Sequence, residues 1–301
     1  MIKVLLFYKY VHIDDPVSFK EEHLRKCLNL DIKGRILVAK EGINGSVAGS
    51  HEQVNKYKDM LNSDSRFSDI VFKEDDSISI PFKKMIVKIK KEIVNFGKEV
   101  NLSLTGKNLS PREFLEIYQR YPEKIGDEII ILDARNDYEA KVGKFKKANT
   151  LDISKFRDFP EAVRTLSEKK NKKIIMYCTG GIRCEKASAY LRQEGFSDVS
   201  QLKGGILSFG KEFPDTVWEG SCFVFDKRLV SSINSENKPI TSCSHCNVPC
   251  DLVKNCAKFD CDSFCTICID CEIRYLGCCS QQCFRLKMEN QLQCSNPQAR
   301  R

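Results

Sequence analysis

A cysteine that follows an apolar run and precedes a glycine-rich turn is the residue best suited to chemistry in this sequence. The run 174–177 leads directly into Cys178, and two glycines and Arg183 come next. Glycines let the backbone curl tightly and point several N–H groups inward, and a helix that begins near Arg183 favours negative charge at its start. We therefore predict that Cys178 is a thiolate nucleophile and that Arg183 stabilises its charge.

The turn after Cys178 is the predicted active loop, because it would form a cradle for an anion. It consists of Thr179, Gly180, Gly181 and Ile182. Cys184, one residue beyond Arg183, is a candidate resolving cysteine that would form a disulfide with oxidised Cys178. The alternative is a structural Cys184 whose side chain points away. For Cys178 itself, the simpler alternative is an ordinary buried cysteine at the end of a strand.

The charged residues near this loop have structural interpretations. Asp133 and Arg135 are expected to form an ion pair that braces the edge of a sheet, rather than to bind substrate. Glu185 and Lys186 are expected to face solvent at the start of the helix. All four histidines lie outside residues 127–222, which excludes a Cys–His couple within that segment. A histidine from the N-terminal domain could still reach the site, but the loop itself is the simpler activator of the thiol.

A dense cluster of cysteines near the end of the sequence is the second feature that could do chemistry. Twelve of the 16 cysteines belong to it: Cys243, Cys246, Cys250, Cys256, Cys261, Cys265, Cys268, Cys271, Cys278, Cys279, Cys283 and Cys294. Pairs spaced as Cys-x-x-Cys place two thiolates on one tetrahedral ion, so we predict that all twelve ligate metal. They could fill three four-cysteine sites, or two sites with extra cysteines, and His245 could replace one ligand.

Zinc is the favoured metal for this cluster, because a small polar segment cannot fold by burial alone. An iron–sulfur cluster also uses four cysteines and is the less favoured alternative. Free thiols in a disordered segment are the remaining alternative. Outside the cluster, Cys27 and Cys222 are expected to be packing residues.

Length and composition are those of a soluble protein with two or three domains. The 301 residues are 42% hydrophobic and 30% charged, and the net charge is +8. No apolar run reaches the ~18 residues that span a membrane, and the start of the sequence is charged too early for a signal peptide. We therefore expect a cytoplasmic protein, in which clustered cysteines suit metal better than disulfides. No motif for an organic cofactor is evident.

The elements that must position Cys178 have an α/β pattern. Residues 1–97 follow the order strand, helix, strand, strand, helix, strand, which is typical of a ferredoxin-like or acylphosphatase-like α+β sandwich. Residues 98–126 are a linker with one helix, capped by Ser110. Residues 127–222 alternate strands and helices, which predicts a parallel sheet with helices on its faces. Residues 223–301 are the cysteine-rich C-terminal module.

A lysine-rich strand is predicted within residues 83–94 of the N-terminal domain. Alternation places Lys84, Lys88 and Lys90 on one face and the apolar residues Met85, Val87 and Ile89 on the other. The lysines are either a solvated strand face or a surface that follows the phosphates of an RNA. A second strand is predicted over residues 68–75.

The segment from Cys178 to Arg183 resembles the six-residue active loop of rhodanese domains. Protein tyrosine phosphatases have one or two more residues in the corresponding loop, which fits phosphate, so the shorter loop favours sulfur chemistry. The segment GFSDVSQLKGGI (195–206) is similar to the closing motif of rhodanese domains. This resemblance implies a rhodanese-like fold for residues 127–222.

A wider resemblance covers roughly residues 1–230 and extends to the cysteine-rich tail. Four segments carry it: GRILVAKEGINGSVAG (34–49), KKMIVKIKKEIVNFG (83–97), CTGGIRCEKASAYL (178–191) and WEGSCFVFDKR (218–228). They resemble the bacterial rhodanese-domain tRNA uridine hydroxylases. The resemblance implies dioxygen-dependent formation of 5-hydroxyuridine at the tRNA wobble position, with Cys178 as a persulfide-forming cysteine. It implies tRNA as the partner, and a sulfur donor protein is a further candidate.

Two other functions compete with tRNA hydroxylation. The loop alone suits a sulfurtransferase that carries persulfide sulfur on Cys178. The cysteine cluster suits a metal-binding interaction protein in which the rhodanese-like domain is only a scaffold.

Overall fold

The chain packs as two compact units. The first contains Met1–Asn136 and Lys147–Glu212, and the second contains Asp137–Lys146 and the chain from Phe213 onward. The computed structural model describes residues 1–236, 238–261 and 263–295, with side chains as far as residue 289. Within those residues, no helix is both long and apolar enough to cross a bilayer. The domain borders after residues 97, 126 and 222 stay predictions.

A five-stranded sheet with two helices forms the N-terminal part of the first unit. Its elements are β1 (Ile2–Tyr10), α1 (Pro16–Asn29), β2 (Lys33–Ala39), β3 (Gly42–Ser50), α2 (His51–Asn62), β4 (Lys73–Ser77) and β5 (Met85–Ile89). The strand order is β4-β1-β3-β2-β5, and only the β2–β5 pair is parallel. This confirms the predicted acylphosphatase-like sandwich. Leu5 and Phe7 of β1 point into the core, so Leu6 and Tyr8 lie on the opposite face of the sheet.

Two strands of this sheet are shorter than the sequence pattern predicts. The segment predicted over 68–75 becomes a strand only at Lys73, because a turn bonds the Ile70 N–H to the Phe67 carbonyl. The segment predicted over 83–94 ends as a strand at Ile89. The predicted alternation holds for Met85 and Val87, which are buried, while Ile89 is 43% exposed.

A second, parallel sheet forms the rest of the first unit. Its strands are β6 (Lys107–Leu109), β7 (Ile129–Asp133), β9 (Asn149–Thr150), β10 (Lys173–Tyr177) and β11 (Asp198–Leu202), and its helices are α3 (Pro111–Arg120), α5 (Phe159–Ala162), α6 (Ile182–Gln193) and α7 (Gly205–Glu212). The order is β6-β11-β10-β7-β9. Strand β10 is central and fully buried beyond its first residue, as its apolar run predicts. It therefore delivers Cys178 to the carboxyl edge of the sheet, where such folds place ligands.

The helix in the predicted linker begins as the sequence indicates. The Ser110 hydroxyl accepts from the Glu113 N–H at 3.3 Å, and the Glu113 carboxylate accepts from the Ser110 N–H at 2.8 Å. Pro111 occupies the first helical position. The reciprocal bonds satisfy two donors that the helix start would otherwise leave free, so this capping box fixes where α3 begins.

Apart from its last helix, the second unit consists of short elements. They are α4 (Asp137–Val142), β8 (Gly143–Phe145), β12 (Trp218–Gly220), β13 (Cys222–Phe223), β14 (Val230–Ser231), β15 (Val253–Asn255), β16 (Phe264–Thr266), α8 (Ile269–Arg274) and α9 (Gln281–Ser295). The strands form three two-stranded ladders: β12–β8, β13–β14 and β15–β16. An apolar cluster around Val142, Phe223 and Val253 is small.

Candidate active site and metal centres

Cys178 lies in an anion cradle at the end of β10. Its Sγ atom accepts a hydrogen bond from the Gly181 N–H at 3.1 Å, and the Arg183 N–H also points to it. Gly181 has a φ of +99° and caps α6, so the chain turns directly from the loop into the helix. The helix start and the inward N–H groups favour a negative sulfur, as the sequence predicts.

Three groups lower the pKa of Cys178 although its side chain is buried. Burial by itself raises the pKa of the thiol, but a hydrogen bond from the Cys184 thiol, the charge of Arg183 and the backbone N–H groups together bring the pKa of Cys178 down to about 5. Arg183 is itself buried and donates to the Thr179 hydroxyl at 3.3 Å. Because its thiol donates to Cys178, the Cys184 side chain faces Cys178 rather than pointing away. Burial and the neighbouring Cys178 raise the pKa of Cys184 well above its ordinary value.

The carbonyl groups of the loop are held on the opposite side by the start of α7. The Ile206 N–H donates to the Cys178 carbonyl at 3.0 Å, and the Leu207 N–H donates to the Thr179 carbonyl at 3.2 Å. A Cβ atom on Gly205 would lie 2.3 Å from the Cys178 oxygen, so only glycine permits this approach. With its carbonyls fixed here, the loop keeps its N–H groups directed at the sulfur.

Strand β1 of the N-terminal domain covers the loop. A Cβ atom on Gly180 would lie 2.7 Å from Leu6 Cδ2, and one on Gly181 would lie 2.9 Å from the Tyr8 hydroxyl. The Tyr10 hydroxyl donates to the Ile182 carbonyl at 3.4 Å. The two glycines thus serve the packing of the N-terminal domain as well as the anion cradle. Cys178 is completely buried beneath this cover.

Glu185 and Lys186 are not the solvent-facing residues that the sequence suggests. Glu185 accepts from the Tyr8 hydroxyl at 3.0 Å, and burial raises the pKa of its carboxyl group. Lys186 is 3% exposed, and its ammonium lies 2.6 Å from Glu92 and 2.9 Å from Glu41. The expectation is wrong because it treats α6 as an exposed helix, whereas the N-terminal domain packs over its first turn.

The ion pair between Asp133 and Arg135 is confirmed as a structural one. The Arg135 Nη2 atom lies 2.6 Å from Asp133 Oδ2, and both side chains are fully buried. The Tyr177 hydroxyl donates to the same carboxylate oxygen at 2.6 Å. These bonds fix the ends of β7 and β10 relative to each other, next to the strand end that carries Cys178.

Eight of the clustered cysteines form two quartets in the second unit. Quartet 1 is Cys243, Cys246, Cys268 and Cys271, and quartet 2 is Cys256, Cys261, Cys279 and Cys283. Within each quartet all sulfur atoms lie within 4.8 Å of one another. The distance between the two Sγ atoms is 3.7 Å for Cys246 and Cys268 and 3.8 Å for Cys261 and Cys279. A tetrahedron with metal–sulfur bonds of about 2.3 Å has edges of about 3.8 Å, so each quartet could hold one metal ion.

Three other predicted metal ligands whose side chains the structure describes lie outside the quartets. Cys250, Cys265 and Cys278 are buried but belong to neither. The side chain of Cys294 lies outside the described residues. His245 bonds the Cys278 carbonyl at 2.8 Å and stacks on Tyr275 instead of joining a quartet. A metal role for these four cysteines stays a prediction.

The predicted RNA-binding lysines are all exposed at one edge of the N-terminal sheet. Lys88 lies on β5, and Lys84 and Lys90 flank this strand. Strand β5 is the last strand of its sheet, so the ammonium groups are accessible along a free edge. The structure places these lysines on the surface and leaves their partner a prediction.

Four residues next to the active loop could not be identified from the sequence. They are Leu6, Tyr8, Tyr10 and Lys73, and the Cδ atom of Lys73 would lie 4.0 Å from a Cβ atom on Gly180. All four lie in the N-terminal domain and reach the loop through strand pairing that no local pattern reveals. The only sequence signal is the alternation in β1, where Leu6, Tyr8 and Tyr10 fall on the face opposite the core.

Comparison with family models divides the chain into three matched segments. Residues 2–93 match the UPF0176 acylphosphatase like domain, and residues 110–212 match the rhodanese-like domain. Residues 219–284 match a third model, described as rhodanase C-terminal. These matches support the mixed α/β architecture with a separate C-terminal segment.

Curated relatives match nearly the whole chain. A tRNA uridine(34) hydroxylase of Bacillus licheniformis is 46% identical over 93% of this chain and 88% of the relative. Proteins of the same name from Staphylococcus saprophyticus and Cytophaga hutchinsonii are 44% and 42% identical, again over 93% of this chain and 89% of each relative. With such identity across both chains, the protein belongs to the tRNA uridine(34) hydroxylase family.

Proposed function

We propose that the protein hydroxylates uridine 34, the wobble uridine, of tRNA and that Cys178 is its reactive residue. The observation that carries this proposal is the 42–46% identity over 93% of the chain to relatives named for that activity. The buried cradle of Cys178 supports the choice of residue. Since tRNA is the substrate, we further propose that the protein acts in the cytoplasm.

The chemistry we propose for Cys178 is that of a stabilised sulfur anion. Its pKa of about 5 makes the thiolate the dominant form at neutral pH. A persulfide on the same atom would use the same N–H groups and the charge of Arg183, because its terminal sulfur is also anionic. Formation of 5-hydroxyuridine with dioxygen as the oxidant is part of the proposal through the family resemblance.

Access of the uridine to Cys178 requires the covering strand or the loop to move. The sulfur is completely buried, and the side chains of Leu6 and Tyr8 lie against the loop glycines. A wobble base belongs to a single-stranded loop and can be turned out of its stack at low cost. We propose that entry of the base displaces the contact between β1 and the active loop.

We propose that each cysteine quartet binds one metal ion and that zinc is that ion. Sulfur–sulfur distances of 3.6–3.8 Å match four thiolates around a single centre. An iron–sulfur cluster distributes its thiolates over different iron atoms and therefore separates some of them more widely. Bound ions would add folding energy to that of the apolar contacts in the second unit.

The test is nucleoside mass spectrometry of tRNA from a strain in which the gene is deleted. We expect 5-hydroxyuridine and its derivatives to disappear, and to return when wild-type protein is expressed. Cys178→Ala should fail to restore them. Cys27→Ala is the matched control, because Cys27 is also completely buried but lies in the N-terminal core.

Two outcomes contradict the proposal. Unchanged tRNA in the deletion strain would remove the hydroxylase function. Restoration by Cys178→Ala, at a protein level equal to wild type, would remove Cys178 from the reaction.

A further inference from the structure

Lys73 extends from the N-terminal domain over the active loop. It is the first residue of β4, which pairs with β1 beside the loop. A Cβ atom on Gly180 would lie 4.0 Å from Lys73 Cδ, and one on Gly204 would lie 3.5 Å from Lys73 Cε. The Lys73 ammonium is 5.0 Å from the centre of the Tyr8 ring. The side chain therefore runs between the two glycine turns that flank Cys178.

Lys73 differs from the lysines on the neighbouring strand. Lys3 and Lys9 of β1 form salt bridges with Asp76 and Asp69 at 2.6 and 2.5 Å. Within the described part of the chain, Lys73 forms no salt bridge. Burial lowers the pKa of Lys73 to about 8, while the negative charges of Cys178 and Glu185 act in the opposite direction. The ammonium thus remains mostly charged at neutral pH, and the site is its electrostatic partner.

Among the described residues, six ionisable groups interact electrostatically with Cys178 from the elements packed around it. They are Tyr8 and Tyr10 of β1, Lys73 of β4, and Arg183, Cys184 and Glu185 of α6. Among these six, Lys73 and Arg183 carry positive charge. Arg183 belongs to the loop and helix that hold the cysteine, whereas Lys73 comes from a different domain. The charge balance at the sulfur therefore depends on the N-terminal domain.

We propose that Lys73 is a positioning residue for Cys178. From the N-terminal domain, the Lys73 ammonium holds the sulfur of the rhodanese-like loop in its anionic form. This inference rests on the proposed role of Cys178 as the reactive residue. The same cation would stabilise a persulfide at that position. The N-terminal domain then completes the site chemically as well as covering it.

The test is the pH dependence of Cys178 alkylation by iodoacetamide, read by mass spectrometry of the Cys178 peptide in the full-length protein without tRNA. The thiolate reacts and the thiol does not, so the midpoint of rate against pH reports the pKa of Cys178. Loss of a nearby cation destabilises the anion. We expect Lys73→Met to move the midpoint upward by about one pH unit or more. Lys73→Arg should keep the midpoint near that of wild type.

Lys9→Met is the matched control, because it removes a lysine from the adjacent strand that is already paired with Asp69. It should leave the midpoint unchanged. An unshifted midpoint in Lys73→Met would overturn the proposal. So would an equal shift in Lys73→Arg, since that result would assign the effect to packing rather than charge. A change in access to the sulfur alters the plateau of the rate and not its midpoint.

The labelling midpoint and the tRNA measurement fail independently. A shifted midpoint combined with full hydroxylation by Cys178→Ala would keep the electrostatic role of Lys73 and remove the proposed function. An unshifted midpoint combined with inactive Cys178→Ala would keep the proposed function and remove the electrostatic role of Lys73.

Discussion

The ammonium of Lys186 lies 2.6 Å from the Glu92 carboxylate and thereby ties the first turn of α6 to the segment that follows β5. Replacing Lys186 with Met would leave Glu92 and its neighbour Glu41 without their shared cation. We expect a loss of about 1–3 kcal/mol in the free energy of unfolding, measured with urea. The loss should stay below the cost of breaking a fully buried pair, because both carboxylates remain about a quarter exposed.

Lys124→Met is the control for this measurement. It removes a lysine that pairs with Glu128 four residues further on at the surface, where 39% and 62% of the two side chains are exposed. Its cost should be below about 0.5 kcal/mol. Equal effects of the two substitutions would contradict a buried link between α6 and the N-terminal domain.

Gly205→Ala should disturb the active loop more than any ordinary glycine replacement. The added Cβ would meet the Cys178 carbonyl at 2.3 Å, and the residue also has a φ of +67°. Gly126→Ala separates the two effects, because Gly126 has a φ of +101° but a Cβ added there would meet no atom within 4 Å. We expect Gly126→Ala to cost about 1 kcal/mol in thermal or urea unfolding and Gly205→Ala clearly more. Similar costs would show that the close approach at Gly205 is relaxed in solution.

The lysines around β5 should contribute to tRNA affinity in a salt-dependent way. Replacing Lys84, Lys88 and Lys90 together with Ala removes up to three phosphate contacts. The slope of log affinity against log salt should then fall by up to about 2. The measurement is a filter-binding titration with tRNA at several salt concentrations.

A triple Ala variant of Lys20, Lys26 and Lys56 is the control, since it removes the same charge from α1 and α2. A general effect of net charge would weaken binding equally in both variants. The prediction that the lysines around β5 contact tRNA is supported only if their triple variant has the smaller slope of log affinity against log salt.

Metal analysis of the purified protein should give two ions per chain. Cys246→Ser and Cys261→Ser each remove a ligand from one quartet and should each reduce the content to about one ion. Cys250→Ser changes a cysteine outside both quartets and should leave two. Elemental mass spectrometry counts the ions and identifies the metal. Three ions in the wild type, or loss of an ion in Cys250→Ser, would contradict the assignment to two quartets.

Local sequence patterns predict the parts of the site that lie within one strand–loop–helix segment. The apolar run, the glycines and Arg183 are contiguous with Cys178, so their order alone indicates the cradle. The Asp133–Arg135 pair is equally local. Lys73 and Tyr8 could not be predicted in this way, because their approach to the loop depends on the pairing of β1 with β4 and on the packing of two domains.

Because local patterns do not show contacts that form on folding, the expectation that Lys186 faces solvent is wrong. For the same reason the sequence does not show how the cysteines divide into two quartets. An alternation or helix pattern shows which residues avoid the core of their own domain, but not which of them another domain covers. For the cysteines, the spacing identifies Cys243 with Cys246 and Cys268 with Cys271 as pairs. It does not show that these two pairs lie together, because a segment of the chain separates them and only folding brings their sulfur atoms within 4.8 Å of one another.

The cysteines of the two quartets are interleaved along the chain, and this order determines when each quartet can be complete during synthesis. Quartet 1 begins at Cys243 and closes at Cys271, while quartet 2 begins at Cys256 and closes at Cys283. A ribosome therefore releases half of each ligand set before it completes either one. No cut between Cys256 and Cys271 leaves an intact set on one fragment. Ion binding by either quartet would therefore come late in synthesis, and a single proteolytic cut between Cys256 and Cys271 would divide both quartets.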